Sequence, residues 1–460
     1  MEKNLTELIE EIQELLSQKN LGEIRSKLIA MNPYDIAELF EEMDFEEDKV
    51  PLLFRLLPKE LAAETFVEMD DDTQKVLINS FSDSELKEII DELYLDDAVG
   101  ILEEMPANVV KRILRQTDSE TRLILNELLN YPSDSAGSMM TPEFVTLRPK
   151  MTVEEAIKRI RRTGVDKETI YTCYVTNNNK TLIGVVTIKT LILAEDDAIV
   201  EELMESNVIS VRTTDDQENV AQMFNNYNFL ALPVVDTENR LVGIVTIDDA
   251  IDVLEEEATE DIQKMAAISP SDKPYFKLGI LEAFKIRTPW LLFLMISATF
   301  TGMIINNAET SLAALPFLTA YIPMLMNTGG SAGSQASVTI IRAISLGEVS
   351  FFDILKIAFK ESRIALCCGV ALAVCNFAKM MLFDNMVMHN SSITPMVAAV
   401  VCLTLVFNVL FAKVIGCCLP LIAKKFGADP AVMATPFIST IVDAITLTIY
   451  FTIATVLLVN

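Results

Sequence analysis

The fold class of this chain is decided by the stretch PAVMATPFISTIVDAITLTIYFTIATVLLVN, residues 430–460. It carries a single charged side chain, Asp443, near its middle. A helix of about 20 mostly apolar residues crosses a hydrocarbon core of about 30 Å. The stretch therefore predicts a transmembrane helix that holds one carboxylate within the membrane.

Further long apolar stretches precede this one, of which one begins at Arg363 and contains Lys379 and another contains Lys413. They lie between Arg287 and Glu309, between Glu309 and Arg342, and at 363–383 and 395–422, and the fifth span is expected at 435–459. Lys and Arg cluster in alternate connections, whereas 306–312 and 384–394 contain neither. By the positive-inside rule, the N-terminus is expected in the cytoplasm and the C-terminus outside, in a multi-pass protein of the cell membrane. Lys379 and Lys413 are expected to extend from their spans to the interface.

The charge of the chain is divided unevenly. Residues 1–270 hold 25 Lys and Arg against 57 Asp and Glu, a balance of −32, and residues 271–460 hold 12 against 9. Binding to nucleic acid needs clustered Lys and Arg, so nucleic acid is excluded as a partner. Cations are the natural counter-charge of this acidic part.

Residues 50–120 contain a repeat of twelve residues. Apolar side chains recur in two registers three residues apart, and the position after the second register holds Pro58, Asp70, Ser82, Tyr94, Pro106 and Asp118. These residues are mostly helix caps or breakers. The pattern predicts short helices that cannot bury their apolar faces alone and stack into a helical solenoid.

A second repeat, of about sixty residues, covers 139–258. TCYVTNNNKTLIGVVTIKTL (172–191) recurs as ALPVVDTENRLVGIVTIDDA (231–250), and each copy predicts strand, turn, strand and helix. The pair resembles a tandem of cystathionine-beta-synthase (CBS) domains. Gly243, Thr246 and Asp249 match the G-x-x-T-x-x-D pattern of nucleotide-binding members, which implies a possible ATP site, although turn residues alone would also explain Gly243 and Thr246. The first copy has Thr190 in place of the Asp.

The helix after this tandem carries an acidic stripe. Asp249, Asp252, Glu256 and Glu260 lie at spacings of three, four and four, with Glu257 and Asp261 beside them. Like charges at i, i+4 repel one another, so the stripe is strained unless cations neutralise it. A solvated helix face is the alternative.

Asp443 is the first candidate for an ion site in the membrane. A carboxylate at this depth costs about 2.5–3.5 kcal/mol on insertion scales and usually faces an aqueous path. A protonated Asp in a helix contact is the alternative. Asp429 is expected either at the pore mouth or as a cap before Pro430. The run NTGGSAGSQAS, 327–337, is expected either to line a path or only to pack helices.

The order of these parts closely resembles the MgtE family of magnesium channels. The most specific stretches are EEEATEDIQKM (255–265), PMLMNTGGSAGSQASVTIIRAISLGE (323–348) and ADPAVMATPFISTIVDAITL (428–447). The resemblance implies a homodimer with its pore on the two-fold axis, where Asp443 of each subunit holds a largely hydrated magnesium ion. The chain departs from the family pattern at Asn327, Ser331 and Asn228.

The resemblance also implies regulation by cytoplasmic magnesium bound to the acidic domains, which would stabilise a closed state. By the family's motifs, the expected magnesium ligands besides Asp443 are Asp249, Asp252, Glu257, Glu260, Asp261, Asp216 and Asp97. The alternatives are a channel for another divalent cation such as cobalt or manganese, a CBS-regulated anion channel, and a membrane enzyme. Asp443 argues against anions. The single His389 and the lack of a catalytic motif argue against an enzyme.

The predicted fold is therefore multidomain. The expected parts are an all-α helical-repeat solenoid at 1–131, an α/β tandem CBS pair at 132–202 and 203–254, an acidic connecting helix and linker at 255–286, and a polytopic α-helical membrane domain at 287–460.

Overall fold

The computed structural model describes residues 2–43, 49–271, 273, 275–307, 316–387, 393–433 and 435–459. His389 lies outside the described residues. The chain forms two compact units, Met1–Leu254 and Glu255–Asn460, and each is described by itself. The domain bounds within these units remain predictions.

The first unit begins with short helices. They are α1 (Glu2–Ser17), α2 (Leu21–Leu28), α3 (Pro33–Glu42), α4 (Val50–Phe54), α5 (Lys59–Val67), α6 (Asp71–Ser80), α7 (Asp83–Ile90), α8 (Leu95–Glu104), α9 (Ala107–Gln116) and α10 (Ser119–Leu128). Helices α5 to α10 begin twelve residues apart, so the predicted repeat is confirmed. The main contacts join alternate helices, such as α5 with α7 and α7 with α9.

The predicted cap positions set where these helices begin. The Asp70 side chain accepts a hydrogen bond from the Thr73 amide, and Asp118 accepts from the amides of Glu120 and Thr121. Ser82 forms a capping box with Glu85. Each such cap satisfies helix amides that would otherwise lack a partner and contributes about 1 kcal/mol. The twelve-residue spacing of the caps therefore fixes the helix length.

The CBS tandem forms two three-stranded sheets in the described part of the chain. The first contains β1 (Thr146–Leu147), β2 (Thr172–Thr176) and β3 (Leu182–Thr187), and the second contains β4 (Val211–Arg212), β5 (Ala231–Val235) and β6 (Leu241–Thr246). In each sheet a parallel pair is followed by an antiparallel pair. The helices are α11 (Val153–Thr163), α12 (Ile188–Leu193), α13 (Val200–Leu203), α14 (Gln217–Tyr227) and α15 (Ile247–Met265). The predicted repeat of strands and helices is confirmed.

The second unit contains long helices. They are α16 (Ile280–Asn307), α17 (Ile322–Ser345), α18 (Ile354–Lys379), α19 (Pro395–Lys425) and α20 (Thr435–Ala454). Among the described residues, four segments are long and apolar enough to cross a membrane: Ile280–Asn306, Phe351–Asn385, Pro395–Lys425 and Ala431–Leu458. The span predicted between Glu309 and Arg342 overlaps α17, whose polar run lowers its hydropathy. Its passage through the membrane stays a prediction.

Small residues allow α17 and α19 to pack closely. A Cβ atom on Gly416 would overlap the carbonyl oxygen of Gly333, and one on Gly329 would overlap the Asn408 amide. The first overlap shows that the two backbones approach closely, and the second shows that Gly329 leaves room for the Asn408 side chain. Helix α19 also packs against α18 and α20 and so lies at the centre of this unit.

The prediction that Lys413 reaches the interface is wrong. Its side chain is buried in α19, and its Nζ lies 3.7 Å from Oε2 of Glu361, which is also buried, in α18. Two opposite charges that share a low-dielectric site stabilise each other, whereas either alone would carry the full cost of burial. The side chain therefore turns to an acidic partner instead of to solvent.

Candidate functional site

A cavity of about 730 Å³ lies between α17 and α20 in the membrane unit. Its walls bring together Asp443 and the polar run that the sequence singled out. The lining residues are Met326, Asn327, Gly330, Ser331, Ser334, Gln335, Val338, Thr339, Ser439 and Asp443. Hydroxyl, amide and carboxylate oxygens thus converge on one space between two long helices.

The polar run of α17 serves two faces of the helix. Asn327, Ser331 and Gln335 follow one another at intervals of four residues and are exposed. Gly329 and Gly333 lie on the other face and pack against α19 and α20. Because the helix repeats every 3.6 residues, the run separates naturally into a polar stripe and a packing stripe. The run therefore packs helices on one face and lines the cavity on the other, and its role in a conduction path stays a prediction.

Asn408 in α19 joins the helices that form the cavity. Its buried amide donates a hydrogen bond to the Leu325 carbonyl in α17, at 2.6 Å, and its Oδ1 accepts one from the Thr446 hydroxyl in α20, at 2.5 Å. Thr446 lies three residues after Asp443, so this network fixes the rotation of α20. Sequence reasoning missed Asn408, although an amide inside an apolar stretch needs polar company.

Asp443 is half-buried on the cavity wall. Within the described residues, no Lys or Arg nitrogen lies within the 4.0 Å of an ion pair with its carboxylate. A buried carboxylate without a fixed counter-charge needs either a proton or a mobile cation. The cavity beside it provides room for the cation together with its water.

A second group of carboxylates lies in the first unit, and we name it the acidic junction. It contains Asp96, Asp97, Glu143, Glu168, Asp248 and Asp249. Asp96 and Asp97 lie in the first turn of α8, Glu143 and Glu168 belong to the first CBS domain, and Asp248 and Asp249 begin α15. The junction therefore joins the helical repeat to both CBS domains.

Burial and mutual repulsion change the ionisation of the junction. Burial, followed by the charges of Asp249 and Asp248, raises the pKa of Asp97 to about 7. Burial, with the charge of Asp248 next, raises the pKa of Glu168 to about 7. Burial also raises the pKa of Asp249 to about 6, although Thr246 donates a hydrogen bond to its carboxylate. The ionised junction is thus unfavourable without a cation.

Two oxygens of the junction have no partner. Asp96 Oδ1 and Glu168 Oε2 are buried without a hydrogen bond in the described structure. By contrast, Glu143 Oε2 accepts a hydrogen bond from the Leu95 amide at 3.0 Å, which ties the first CBS domain to the start of α8. Buried acceptors of this kind are costly unless a donor or a cation reaches them.

The chemistry of both places fits a hydrated cation better than a bare one. Among the described residues, no group of three or more His, Cys, Asp or Glu side chains is arranged to hold a metal ion directly. Magnesium dehydrates reluctantly and usually keeps several waters while one or two carboxylates hold it. The crowded carboxylates of the junction and the single carboxylate beside the cavity both suit this mode.

Comparison with known proteins places these features in a family. Family models match residues 322–453 as MgtE, a divalent cation transporter, residues 31–134 as the MgtE intracellular N domain, and residues 136–197 and 200–256 as CBS domains. The magnesium transporter MgtE of Thermus thermophilus is 36% identical over 451 residues, which cover 97% of this chain and 98% of that protein. The chain belongs to the MgtE family.

A further magnesium transporter and two solved soluble parts are also similar to this chain. The magnesium transporter MgtE of Bacillus subtilis is 33% identical over 457 residues, 99% of each chain. The solved cytosolic domain of the Mg²⁺ channel MgtE in complex with ATP matches 52% of this chain and 98% of its own, with a TM-score of 0.50 and 38% identity. The soluble part of a magnesium transporter matches 55% of this chain and 99% of its own, with a TM-score of 0.51 and 32% identity.

In this MgtE-family chain the acidic stripe of α15 divides between the two units. Asp249 belongs to the acidic junction, and the charge of Asp252, after burial, raises the pKa of Glu68 in the helical repeat. In the second unit, Lys264 Nζ lies 2.6 Å from Glu260 and 2.7 Å from Asp429. In the first unit, the stripe therefore faces other carboxylates. In the second unit, a lysine pairs with it.

The residues at the end of α15 have fixed partners. The Ser345 hydroxyl lies 3.3 Å from Asp261 Oδ2, and burial raises the pKa of Asp261. Asp429 also accepts a hydrogen bond from the Ala431 amide, at 2.8 Å, as its alternative role of a cap requires. Glu257 is half-buried. Magnesium binding by Glu257, Glu260 and Asp261 stays a prediction.

The remaining predicted residues show local roles. Asp216 caps α14 and accepts hydrogen bonds from the amides of Glu218 and Asn219. Asn228 ends the same helix in the left-handed conformation, with φ of 55°, which asparagine adopts more readily than most residues. These roles account for both positions structurally, and magnesium binding by Asp216 stays a prediction.

The candidate nucleotide-binding residues of the second CBS domain also contact other residues of the chain. The Thr246 hydroxyl donates to Asp249 Oδ2 at 2.6 Å, and a Cβ atom on Gly243 would lie 2.5 Å from Met140 Sδ. Gly184 meets Met204 Sδ at the same distance in the first copy. Each glycine therefore leaves room for a methionine side chain that packs against it. Nucleotide binding by Gly243 and Thr246 stays a prediction.

Proposed function

We propose that this chain is a magnesium channel of the cell membrane that conducts largely hydrated Mg²⁺ past Asp443. The observation that carries the proposal is the cavity in which Asp443 faces the hydroxyl and amide groups of α17 and α20. A carboxylate attracts the ion, and the neutral oxygens can accept hydrogen bonds from its water shell. Relatives over nearly the whole chain are named as magnesium transporters.

A homodimer completes this proposal. Asn327, Ser331 and Gln335 are exposed on a single copy. Polar side chains that face hydrocarbon are costly, so a second copy is expected to cover them and to close the path on a two-fold axis. Each subunit would then contribute one Asp443. Surrounding lipid would contact the apolar faces of the other helices.

Regulation by internal magnesium is the second part of the proposal. The ionised acidic junction is destabilised by burial and repulsion, so cations that bind there stabilise the arrangement in which the helical repeat and the CBS domains meet. Asp97 and Asp249 are the predicted ligands at this place, and Asp96, Glu143, Glu168 and Asp248 join them. Asp252, Glu257, Glu260, Asp261 and Asp216 complete the proposed set.

The orientation and the other ligands are part of the same proposal. We place the N-terminus in the cytoplasm, where the acidic junction meets internal magnesium, and the C-terminus outside. A solved relative contains ATP in its cytosolic domain, so ATP is proposed as a ligand of the CBS pair near Gly243 and Thr246. We propose transport rather than an enzymatic reaction, since Asp443 lies among neutral hydroxyl and amide groups in a cavity of the membrane unit.

Flux measurements in liposomes test the proposal. Purified full-length protein should admit Mg²⁺ into vesicles that contain a magnesium-sensitive dye, and closure should follow when magnesium is included on the side of the cytosolic domains. Competing manganese and cobalt would test the alternative of another divalent cation. Faster flux of either ion than of magnesium would overturn the assignment of the substrate, and chloride flux without divalent flux would overturn the function.

A further inference from the structure

The beginning of the segment Phe351–Asn385 presents an unusual exposed face. The segment has 35 residues, which at 1.5 Å per residue is about 20 Å longer than a hydrocarbon core of about 30 Å requires. Charged residues lie in its first thirteen positions, and the next one is Lys379. The surplus therefore lies at the start of the segment, at the level of lipid headgroups.

This starting region carries apolar side chains that no part of the described structure covers. Phe352 is 92% exposed, Leu355 is 81% exposed and Phe359 is 68% exposed. Their spacing of three and four residues places them on one face of the helix. Isolated exposed apolar residues are ordinary, but three large ones in a row at a membrane boundary indicate contact with lipid.

Basic side chains lie beside this apolar face. Lys356, Lys360 and Arg363 are exposed and follow at spacings of four and three residues. Asp353 pairs with Lys356 at 3.1 Å, which leaves Lys360 and Arg363 as the stronger source of positive charge. The Arg363 guanidinium lies 6.0 Å from the Phe359 ring centroid, so the basic and apolar stripes are adjacent.

The opposite side of the same helix is packed against the rest of the unit. Ile357, Glu361 and Ala365 lie on the opposite side of α18 and are buried. At the start of the segment, the Lys425 ammonium at the end of α19 lies 3.8 Å from the Phe351 ring centroid. The lipid-facing side chains therefore project from a fixed helix.

We propose that the face formed by Phe352, Leu355, Phe359, Lys360 and Arg363 binds an anionic phospholipid, with acyl chains on the apolar side chains and the phosphate between Lys360 and Arg363. Charge complementarity selects this occupant. A second copy of the chain would bring Lys360 and Arg363 against the same positive charges across a two-fold interface, which is repulsive. A zwitterionic lipid carries a cation beside its phosphate, which offsets the attraction of that phosphate to Lys360 and Arg363.

Native mass spectrometry of the full-length protein tests this assignment with dioleoylphosphatidylglycerol and dioleoylphosphatidylcholine as probes. The double variant Lys360→Gln, Arg363→Gln should bind phosphatidylglycerol roughly tenfold more weakly or worse, since each basic residue near a membrane contributes about 1 kcal/mol. Its binding of phosphatidylcholine should change much less, because the choline cation already offsets the attraction of that headgroup to the two basic residues. The matched control is Arg161→Gln, Arg162→Gln, which removes the same charge from exposed positions of α11 and should leave both affinities unchanged.

Three results would overturn the proposal. One is unchanged phosphatidylglycerol affinity in the double Gln variant. Another is a changed number of subunits with lipid binding intact, which would identify the face as a contact between copies. If the Gln variant fails to fold, the charge-conserving variant Lys360→Arg, Arg363→Lys decides: it should bind phosphatidylglycerol as the unaltered chain does, and loss of binding in this folded variant is the third result.

Discussion

The membrane cavity and the acidic junction use carboxylates in opposite ways. The cavity has a single carboxylate, Asp443, among neutral hydroxyl and amide groups. In the junction, burial and then mutual repulsion raise the pKa values of Asp96, Asp97, Glu168 and Asp249. One charge attracts an ion and still allows it to leave, as conduction requires. Several crowded charges favour an ion that stays, as a sensor requires.

The largest predicted effect concerns the carboxylate of Asp443 in the cavity. Asp443→Asn should keep the shape of the side chain and remove its charge, so that Mg²⁺ influx into liposomes falls by roughly tenfold or more while folding and membrane insertion are retained. The matched control is Asp384→Asn, which removes a carboxylate that pairs with Lys379 outside the cavity. Unaltered flux in Asp443→Asn would exclude this residue from the conduction path.

The stripe of α15 predicts the next effect. The triple variant Asp249→Asn, Asp252→Asn, Glu260→Gln should stay open at internal magnesium concentrations that close the unaltered channel. The physical reason is that the neutral side chains no longer need cations to relieve repulsion, so magnesium loses its preference for the closed state. Flux at a series of internal magnesium concentrations measures this shift.

A control variant and a double variant sharpen this test. Asp236→Asn removes a carboxylate of the same CBS domain that already pairs with Arg240, and closure should be unaffected. Because Lys264 neutralises Glu260, the pair Asp249→Asn, Asp252→Asn should account for most of the shift. Closure of the triple variant at the usual magnesium concentration would show that the stripe is only a solvated face.

The features that could be predicted from the sequence are those that neighbouring residues determine. Caps such as Asp70, Ser82 and Asp118 act on the residues beside them, so the helix starts of the repeat followed from spacing alone. The polar run and Asp443 were also evident, because uncharged surroundings make polar groups conspicuous. The span expected at 363–383 lies within the longer segment Phe351–Asn385, since a helix need not end where the hydrocarbon ends.

Contacts between distant residues could not be predicted in the same way. Glu168 gave no signal, because its burial depends on how the first CBS domain meets the helical repeat. Lys413 was misjudged, since its partner Glu361 belongs to another helix and depth along α19 alone does not reveal it. Asp96 and Asp248 adjoin the predicted Asp97 and Asp249, so the sequence pointed to part of the acidic junction without its full set of carboxylates, and magnesium binding there stays a prediction.

The junction should also respond to divalent cations differently from sodium. Fragment 1–270, which corresponds to the soluble parts solved for relatives, should resist protease several-fold better in millimolar magnesium than in sodium chloride of matched ionic strength. Magnesium can bridge two carboxylates, whereas sodium mainly screens them. The protection should weaken in Asp97→Asn or Asp249→Asn, and the time course of proteolysis measures it. Equal protection by both salts would attribute the effect to general screening.

The smallest predicted effect is a dependence of stability on pH. Burial and repulsion raise the pKa of Asp97 and of Glu168 to about 7 in the folded state, above the ordinary values of 3.8 and 4.5. Between these limits the folded state binds more protons than the unfolded state, so its stability falls as pH rises and the penalty is complete above about pH 7. Acidification of fragment 1–270 from about pH 8 to about pH 5.5 without divalent cations should therefore raise Tm by roughly 5 °C. The double variant Asp97→Asn, Glu168→Gln should flatten this dependence, and magnesium should flatten it in the unaltered fragment because the cation replaces the proton. A Tm that instead falls on acidification over this range would show that carboxylates stabilised by their partners outweigh the junction.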